Sequence, residues 1–268
     1  MNNLALAFRK LHSGPQPLLL ANAWDAASAR LIESAGAPAI ATTSAGVAWA
    51  LGFPDGNLLP IQRLADLAAN MVRLIRVPLS VDFEAGFSNS PTVVGQNVKL
   101  LLDAGVVGIN IEDGSNTPDL LVSKIDQIKR CASGHGMDLF VNARTDVYLQ
   151  GLVSEDKRLE EAIARGRRYQ QAGADGFFVP ALTDPIQIRR IVEEVDLPLN
   201  VMVWPGQSAA DALCKLGVRR LSAGSAISQI LWAQAEGLAR EFLRTGESAP
   251  LNKASKSYPE LQALFANR

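Results

Sequence analysis

Two cysteines and two histidines in 268 residues leave little room for thiol or imidazole chemistry. Cys131 and Cys214 form neither a zinc-ligand spacing nor a disulfide framework, which fits a reducing, cytoplasmic setting. No run approaches the roughly 18 to 20 apolar residues needed to cross a bilayer. The opening MNNLALAFRK lacks a signal-peptide layout, so no membrane partner is expected. Neither sign of charge is in excess: Lys+Arg 26 against Asp+Glu 27 gives a net charge of −1, and no basic face for nucleic acid is implied. No G-x-G-x-x-G follows the first apolar run, which argues against a dinucleotide site.

The chain does have a large apolar fraction, 48% against 20% charged, ordinary for a globular protein with a sizeable core. Eight short apolar runs recur: PLLLANAWD (17–25), AIATTS (39–44), PLSVDFE (78–84), VGINIED (107–113), LFVNART (139–145), GFFVPA (176–181), PLNVMVW (198–204) and RRLSAGS (219–225). Segments of helical periodicity lie between most of them. Several end at a glycine (Gly36, Gly105, Gly173, Gly217), as helices often do. Pro78 and Pro198 open strands, where a missing N–H is tolerated. Apolar strands alternating with helices mean a parallel sheet covered on both faces. Eight such units predict an α/β fold, a (β/α)8 TIM barrel, over a single domain of residues 1–268. Residues 245–268 form a polar helical tail suited to a neighbouring subunit or to fraying.

In such a barrel the site lies at the C-terminal ends of the strands. The third run ends in Asp82 and Glu84, and the fourth in Glu112 and Asp113. Strand side chains alternate with period two, so Asp82 and Glu84 are expected on one face, with Glu112 joining them from the next strand. Converging carboxylates repel unless something positive joins them, and a hard divalent cation suits oxygen ligands. Asp82, Glu84 and Glu112 are therefore the predicted metal ligands. Arg144 ends an apolar strand; its fork suits a substrate carboxylate, or else it pairs with Asp146 or Glu112. Ser44, Ala45 and Gly46 form a small-residue turn whose N–H groups could hold a carboxylate. Trp24, near the end of the first run, and Asn200, in the seventh, complete the substrate-binding candidates. His12 and His135 precede strands, so both map to the opposite face. No lysine ends a strand, which argues against Schiff-base chemistry.

The motifs NAWDAASARLIESAG, TTSAGVAWALGFPDG, VDFEAG, GINIEDG, NARTD and LNVMVWPG together resemble the isocitrate lyase/phosphoenolpyruvate mutase superfamily, from about residue 17 to 230. The resemblance implies a barrel that exchanges its eighth helix between subunits, hence a homodimer or homotetramer. It also implies Mg²⁺, with Mn²⁺ as a substitute. By motif, Asp55 in GFPDG becomes a catalytic candidate alongside Arg144 and Glu112, and Ser44, Ala45 and Gly46 hold the substrate carboxylate. The implied activity is Mg-dependent carbon–carbon cleavage or decarboxylation of a small 2-oxo or 2-hydroxy acid through an enolate. Three features depart from the family. Its usual D-x-D reads Asp82-Phe83-Glu84, the segment after IED (GSNTPDLLVSKID) lacks the lyases' Cys and His, and the sixth run ends in Pro180 and Ala181. Phosphonopyruvate hydrolase or phosphomutase chemistry, and non-catalytic 2-oxo acid binding, therefore stay open.

Overall fold

A computed structural model describes residues 2–252 and 256–266. Met1 and the parts of the predicted tail at 253–255 and 267–268 lie outside the described residues. The eight anticipated strands all form, each shorter than its apolar run. They are β1 (Leu18–Leu20), β2 (Ile40–Ala41), β3 (Leu79–Asp82), β4 (Gly108–Glu112), β5 (Phe140–Arg144), β6 (Gly176–Phe178), β7 (Leu199–Met202) and β8 (Arg220–Ser222). Helix α1 (Asn2–Leu11) precedes them; between them run α2 (Ala26–Ser34), α3 (Ser44–Ala50), α4 (Ile61–Leu74), α5 (Pro91–Asp103), α6 (Pro118–Gly134), α7 (Arg158–Gln171), α8 (Pro185–Glu194) and α9 (Ala210–Lys215), and α10 (Ala226–Thr245) and α11 (Tyr258–Ala266) follow.

All ladder pairings are parallel, in the order β1-β8-β7-β6-β5-β4-β3-β2. A single parallel bridge, Ala23 to Thr42, joins the two ends. The Ala23 N–H donates to Ala41 O at 2.8 Å and the Thr43 N–H to Ala23 O at 3.0 Å. This is the (β/α)8 barrel. Apart from β1, the strands are largely buried on both faces, as parallel strands under helices must be, and α5 supplies Val94, Val98, Leu101 and Leu102 as a buried stripe at helical spacing. Gly217 shows why glycine ends these helices. Its φ is +94°, and a Cβ there would sit 2.6 Å from Val192 Cγ1.

The N-terminal end of the barrel is plugged by α1. Phe8 meets Phe140 edge-on at 5.4 Å, and His12 stacks on Phe140 at 4.1 Å. Burial and the neighbouring Arg220 charge push the His12 pKa down to about 3, so its ring is neutral packing. His135 lies past the end of α6, beside Asp103 at 3.3 Å. Both histidines are on the face opposite the strand C-termini.

The outer wall is uneven. Leu19 in β1 is 52% exposed, although a central barrel strand should be covered. A groove of about 590 Å³ runs past it, walled by Leu11, Pro17, Ile32 and Pro38. The helix that follows β8 in sequence, α10, leaves Ile230, Leu231, Trp232, Leu238, Phe242 and Leu243 exposed. The chain end returns to its own barrel: Arg30 Nε on α2 donates to Leu264 O on α11 at 3.0 Å. Among the described residues, no helix is long and apolar enough to cross a membrane.

Candidate active site

Asp82 is the last residue of β3. Its N–H donates to Thr42 Oγ1 at 2.8 Å, and its Oδ2 accepts the Ser44 N–H at 3.3 Å. Its Oδ1 is buried with no partner. Burial raises its pKa, the Arg144 charge opposes that rise, and Asp55 adds to it.

Glu84 does not share that face. The strand has ended, and Glu84 takes a left-handed φ of +48°, so period-two alternation no longer applies to it. Its carboxylate turns to the 52–60 loop, accepting the Gly56 N–H at 3.1 Å and the Asn57 N–H. Asn57 Oδ1 in turn accepts the N–H groups of Ala85 and Phe87 at 3.1 and 3.2 Å. The two loops are thereby laced together, and Asp55 is carried to the cavity wall. Burial, offset in part by the Asn57 bond, pushes the Glu84 pKa up to about 7.

Glu112 and Arg144 are direct register partners on β4 and β5 and form an ion pair at 2.7 Å. Arg144 also forks Asp146, with Nε and Nη2 at 2.7 and 3.1 Å. Both pairings anticipated for Arg144 thus hold at once. Asp146 is fixed in turn, because its N–H donates to Asp113 Oδ1 at 2.9 Å. Asp113 Oδ2 accepts Arg165 Nη1 at 2.8 Å and the Tyr169 hydroxyl at 2.6 Å. Burial, against the attraction of Arg144, pushes Glu112 up to about 8.

Beneath these acids the barrel interior is filled by amides. Asn142 Nδ2 donates to the Oδ1 atoms of Asn110 and Asn200 at 2.9 and 3.0 Å. Arg220, wholly buried, donates to Asn110 Oδ1 at 3.2 Å and to Ser222 Oγ at 3.3 Å.

Above lies a cavity of about 190 Å³. Its lining includes Ser44, Ala45, Asp55, Asp82 and Arg144, together with Leu149, Phe178, Met202 and Trp204 and the hydroxyls of Thr43 and Ser225. Asn22, Asn110 and Ser222 also line it. Leu149 lies on a π-helical turn, Val147–Gly151, directly after β5, a form often found at functional sites.

Of the sequence-predicted residues, Ser44, Ala45, Asp55, Asp82 and Arg144 meet in this cavity. Gly46, Trp24, Glu84, Glu112 and Asn200 do not line it. Gly46 is packed behind the turn, where a Cβ would sit 2.8 Å from Thr43 Cγ2 and 2.9 Å from Trp24 Cβ. Asn200 belongs to the interior network. Among the described residues, no three acids, histidines or cysteines are grouped as a ready cation cage, so the expected Asp82–Glu84–Glu112 set is not assembled. The donor chemistry still suits a hard cation. Asp82 Oδ1 is a buried oxygen without a donor, and burial makes Glu84 and Glu112 hold protons more tightly than usual, so a bound cation would compensate oxygens taken out of water. Sequence reasoning missed Asn110, which stands two residues before Glu112 on the same strand face, and Arg220, two before Ser222. It also missed Lys124, whose Nζ reaches from α6 to Ala85 O at 2.7 Å.

The family model for phosphoenolpyruvate phosphomutase matches residues 8–243. The chain belongs to this family. It is thus a member of the isocitrate lyase/phosphoenolpyruvate mutase superfamily, as its motifs suggested. An uncharacterized protein of Mycobacterium tuberculosis (strain ATCC 25618 / H37Rv) is 38% identical, covering 98% of this chain and 97% of the relative. The 2-methylisocitrate lyase of Bacillus subtilis (strain 168) is 32% identical, covering 73% and 66%. The oxaloacetate decarboxylase of Pseudomonas entomophila (strain L48) is 30% identical, covering 84% and 80%. Among solved structures, a protein of Burkholderia cenocepacia J2315 provisionally called a lyase/mutase superposes with a TM-score of 0.90 at 32% identity, covering 99% and 96%. Phosphonopyruvate hydrolase in complex with oxalate and Mg²⁺ superposes with a TM-score of 0.83 at 24% identity, covering 97% and 94%. That last likeness is one of fold.

Proposed function

We propose that the protein is a Mg²⁺-dependent carbon–carbon lyase or decarboxylase acting on a small 2-oxo or 2-hydroxy acid. One observation carries this reading: Arg144 and Asp82, a carboxylate with one oxygen that no donor meets, line one cavity. At about 190 Å³ it falls below the roughly 300–1,000 Å³ of pockets for drug-sized ligands, so the ligand is small.

Asp82 and Asp55 would hold the cation, with water completing its shell; Glu84 and Glu112 stand behind them as an outer layer. The bound cation would supply positive charge for the substrate's 2-oxygen as that oxygen gains electrons from the broken bond. Arg144 has five N–H donors. Two bind Asp146 and one faces Glu112, and the remaining two are the donors for a substrate carboxylate. The Ala45 N–H, with the Ser44 hydroxyl, would complete that carboxylate's partners. In a 2-hydroxy acid Asp55 would instead take the hydroxyl proton as the C2–C3 bond breaks, so that C2 becomes a carbonyl and the bond's electrons go to C3 of the other product. Leu149, Phe178, Met202 and Trp204 would keep water from the carbanionic product until it is protonated.

Phosphonopyruvate chemistry is the second reading, supported by the description of the matching family model. The test is calorimetric titration of oxalate with Mg²⁺ and again with EDTA, followed by assay of 2-oxo and malate-like acids and of phosphonopyruvate. Mg²⁺-dependent oxalate binding with pyruvate formation from a carbon acid supports the lyase. Phosphate release from phosphonopyruvate would replace it with the second reading, and binding without any product would make the protein a 2-oxo acid binder.

The bare groove at Leu19 and the apolar face of α10 support a further proposal, that a second copy supplies the missing cover. The expected form is a homodimer or homotetramer in light scattering.

A further inference from the structure

We infer that Asn110 binds the substrate directly, donating from its amide nitrogen to an oxygen of the bound acid. This rests on the proposed function and adds a residue to it.

Asn110 is 4% exposed and lines the cavity. It is the register partner of Asp82 on β3 and of Asn142 on β5, so it stands beside the carboxylate assigned to the cation. Its Oδ1 is taken twice, by Asn142 Nδ2 at 2.9 Å and by Arg220 Nη2 at 3.2 Å. A guanidinium offers no acceptor in exchange, so the amide stands this way round. Its Nδ2 carries two N–H groups. Among the described residues neither has a protein acceptor, yet Nδ2 is not one of the polar atoms buried without a partner. It therefore keeps contact with open space, and the open space that Asn110 lines is the cavity. The other polar groups nearby are spent. Asn22 Nδ2 donates to Thr42 O at 2.7 Å, and its Oδ1 accepts the Gly224 N–H at 3.0 Å. Ser222 Oγ already meets Asn200 and Arg220.

An amide nitrogen donates and does not accept. It fits a carboxylate or carbonyl oxygen, the groups that a 2-oxo acid brings. It is also neutral. A lysine at this position would pair with Asp82 and compete with the cation; the amide adds a donor and no charge. Because Arg220 and Asn142 hold it in place before the ligand arrives, it needs no reorganisation to act.

The test is titration of oxalate, with Mg²⁺ present, into the parent protein and two variants. Asn110→Leu keeps a similar volume and removes the donor without adding charge. Asn110→Asp keeps an oxygen for Asn142 and Arg220 and replaces the donor by an acceptor. Leucine strands those two donors and aspartate does not, so thermal unfolding in EDTA should place Asn110→Asp above Asn110→Leu. Both variants are expected to bind oxalate at least about tenfold more weakly than the parent, whatever their order in stability. The charge added in Asn110→Asp is absent from Asn110→Leu, so weakening common to both reports the lost donor. Parent-like oxalate affinity in either folded variant overturns the inference. Recovery of both at higher Mg²⁺ also overturns it, since the loss would then lie in the cation. In those cases the proposed function stands. If the parent itself does not bind oxalate, the proposed function falls and this inference with it.

Discussion

Arg165→Met is the perturbation whose size follows most directly from the structure. Arg165 is a buried residue of α7 whose side chain is 9% exposed, facing an Asp113 side chain that is 0% exposed. Its Nη1 lies 2.8 Å from Asp113 Oδ2, and its Nε bonds Glu161 at 2.7 Å. Methionine keeps the length and apolar stem but strands the carboxylate. Breaking a buried pair from one side costs roughly 3–5 kcal/mol. Asp113 keeps two donors, the Tyr169 hydroxyl and the Asp146 N–H, so the low end, about 3 kcal/mol, is expected. For a chain of this size that corresponds to a melting-temperature loss of roughly 6–12 °C. The control is Arg167→Met, two residues along, whose pair with Glu194 at 2.9 Å is largely exposed and worth about 0–1 kcal/mol. Urea and thermal unfolding of both variants provide the comparison. A second readout separates this pair from an ordinary core contact. Asp113 fixes Asp146, which forks Arg144, so oxalate affinity should also fall in Arg165→Met and not in Arg167→Met. Equal stability of the two variants would refute the reasoning about the buried relay.

Asp82→Asn should split function from stability. It removes a buried oxygen that no donor meets, so in EDTA the variant should melt at or above the parent temperature, while Mg²⁺-dependent oxalate binding disappears; a lower melting point with binding retained would contradict the role given to Asp82. A pH series in EDTA tests the burial of these acids. Glu84 and Glu112 are pushed up to about 7 and about 8, in both cases chiefly by burial. Between their ordinary values near 4.5 and these raised ones the folded state holds protons that the unfolded chain has released, so stability should fall as pH rises from about 5 to 8. A melting temperature that climbs across that window would show that these acids are better compensated than their surroundings suggest.

The barrel was legible in the sequence because burial on both faces of a parallel sheet leaves apolar runs broken at regular spacing. All eight strands fall within the runs read for them, and Asp82, Arg144, Asp55, Ser44 and Ala45 reach the cavity as their positions suggested. Glu84 was misplaced because alternation was extended past the end of β3, and nothing in Asp-Phe-Glu announces a left-handed turn at the third residue. Glu112 sits on the expected face, but its charge is taken up by Arg144, a competition that spacing cannot rank. Asn200 was read as a ligand group because the seventh strand was taken to bring it to the rim; here it satisfies other polar groups inside the barrel. The apolar wall of Leu149, Phe178 and Met202 left no signal, since such residues elsewhere in this chain are core.

The amide layer under the cavity has a direction. Arg220 can only donate, so Asn110 must turn its oxygen toward it, and the same oxygen then receives Asn142. Asn142 spends its amino group on Asn110 and Asn200, and Asn200 turns its own amino group to Val201 O and Ser222 Oγ. No amide in the chain can be reversed without setting donor against donor, so one cation at the bottom of the barrel dictates the orientation of groups on three other strands. Amides and guanidinium keep their protons across the physiological range. The acids above can gain or lose charge while the surface below presents the same donors and acceptors to whatever occupies the cavity.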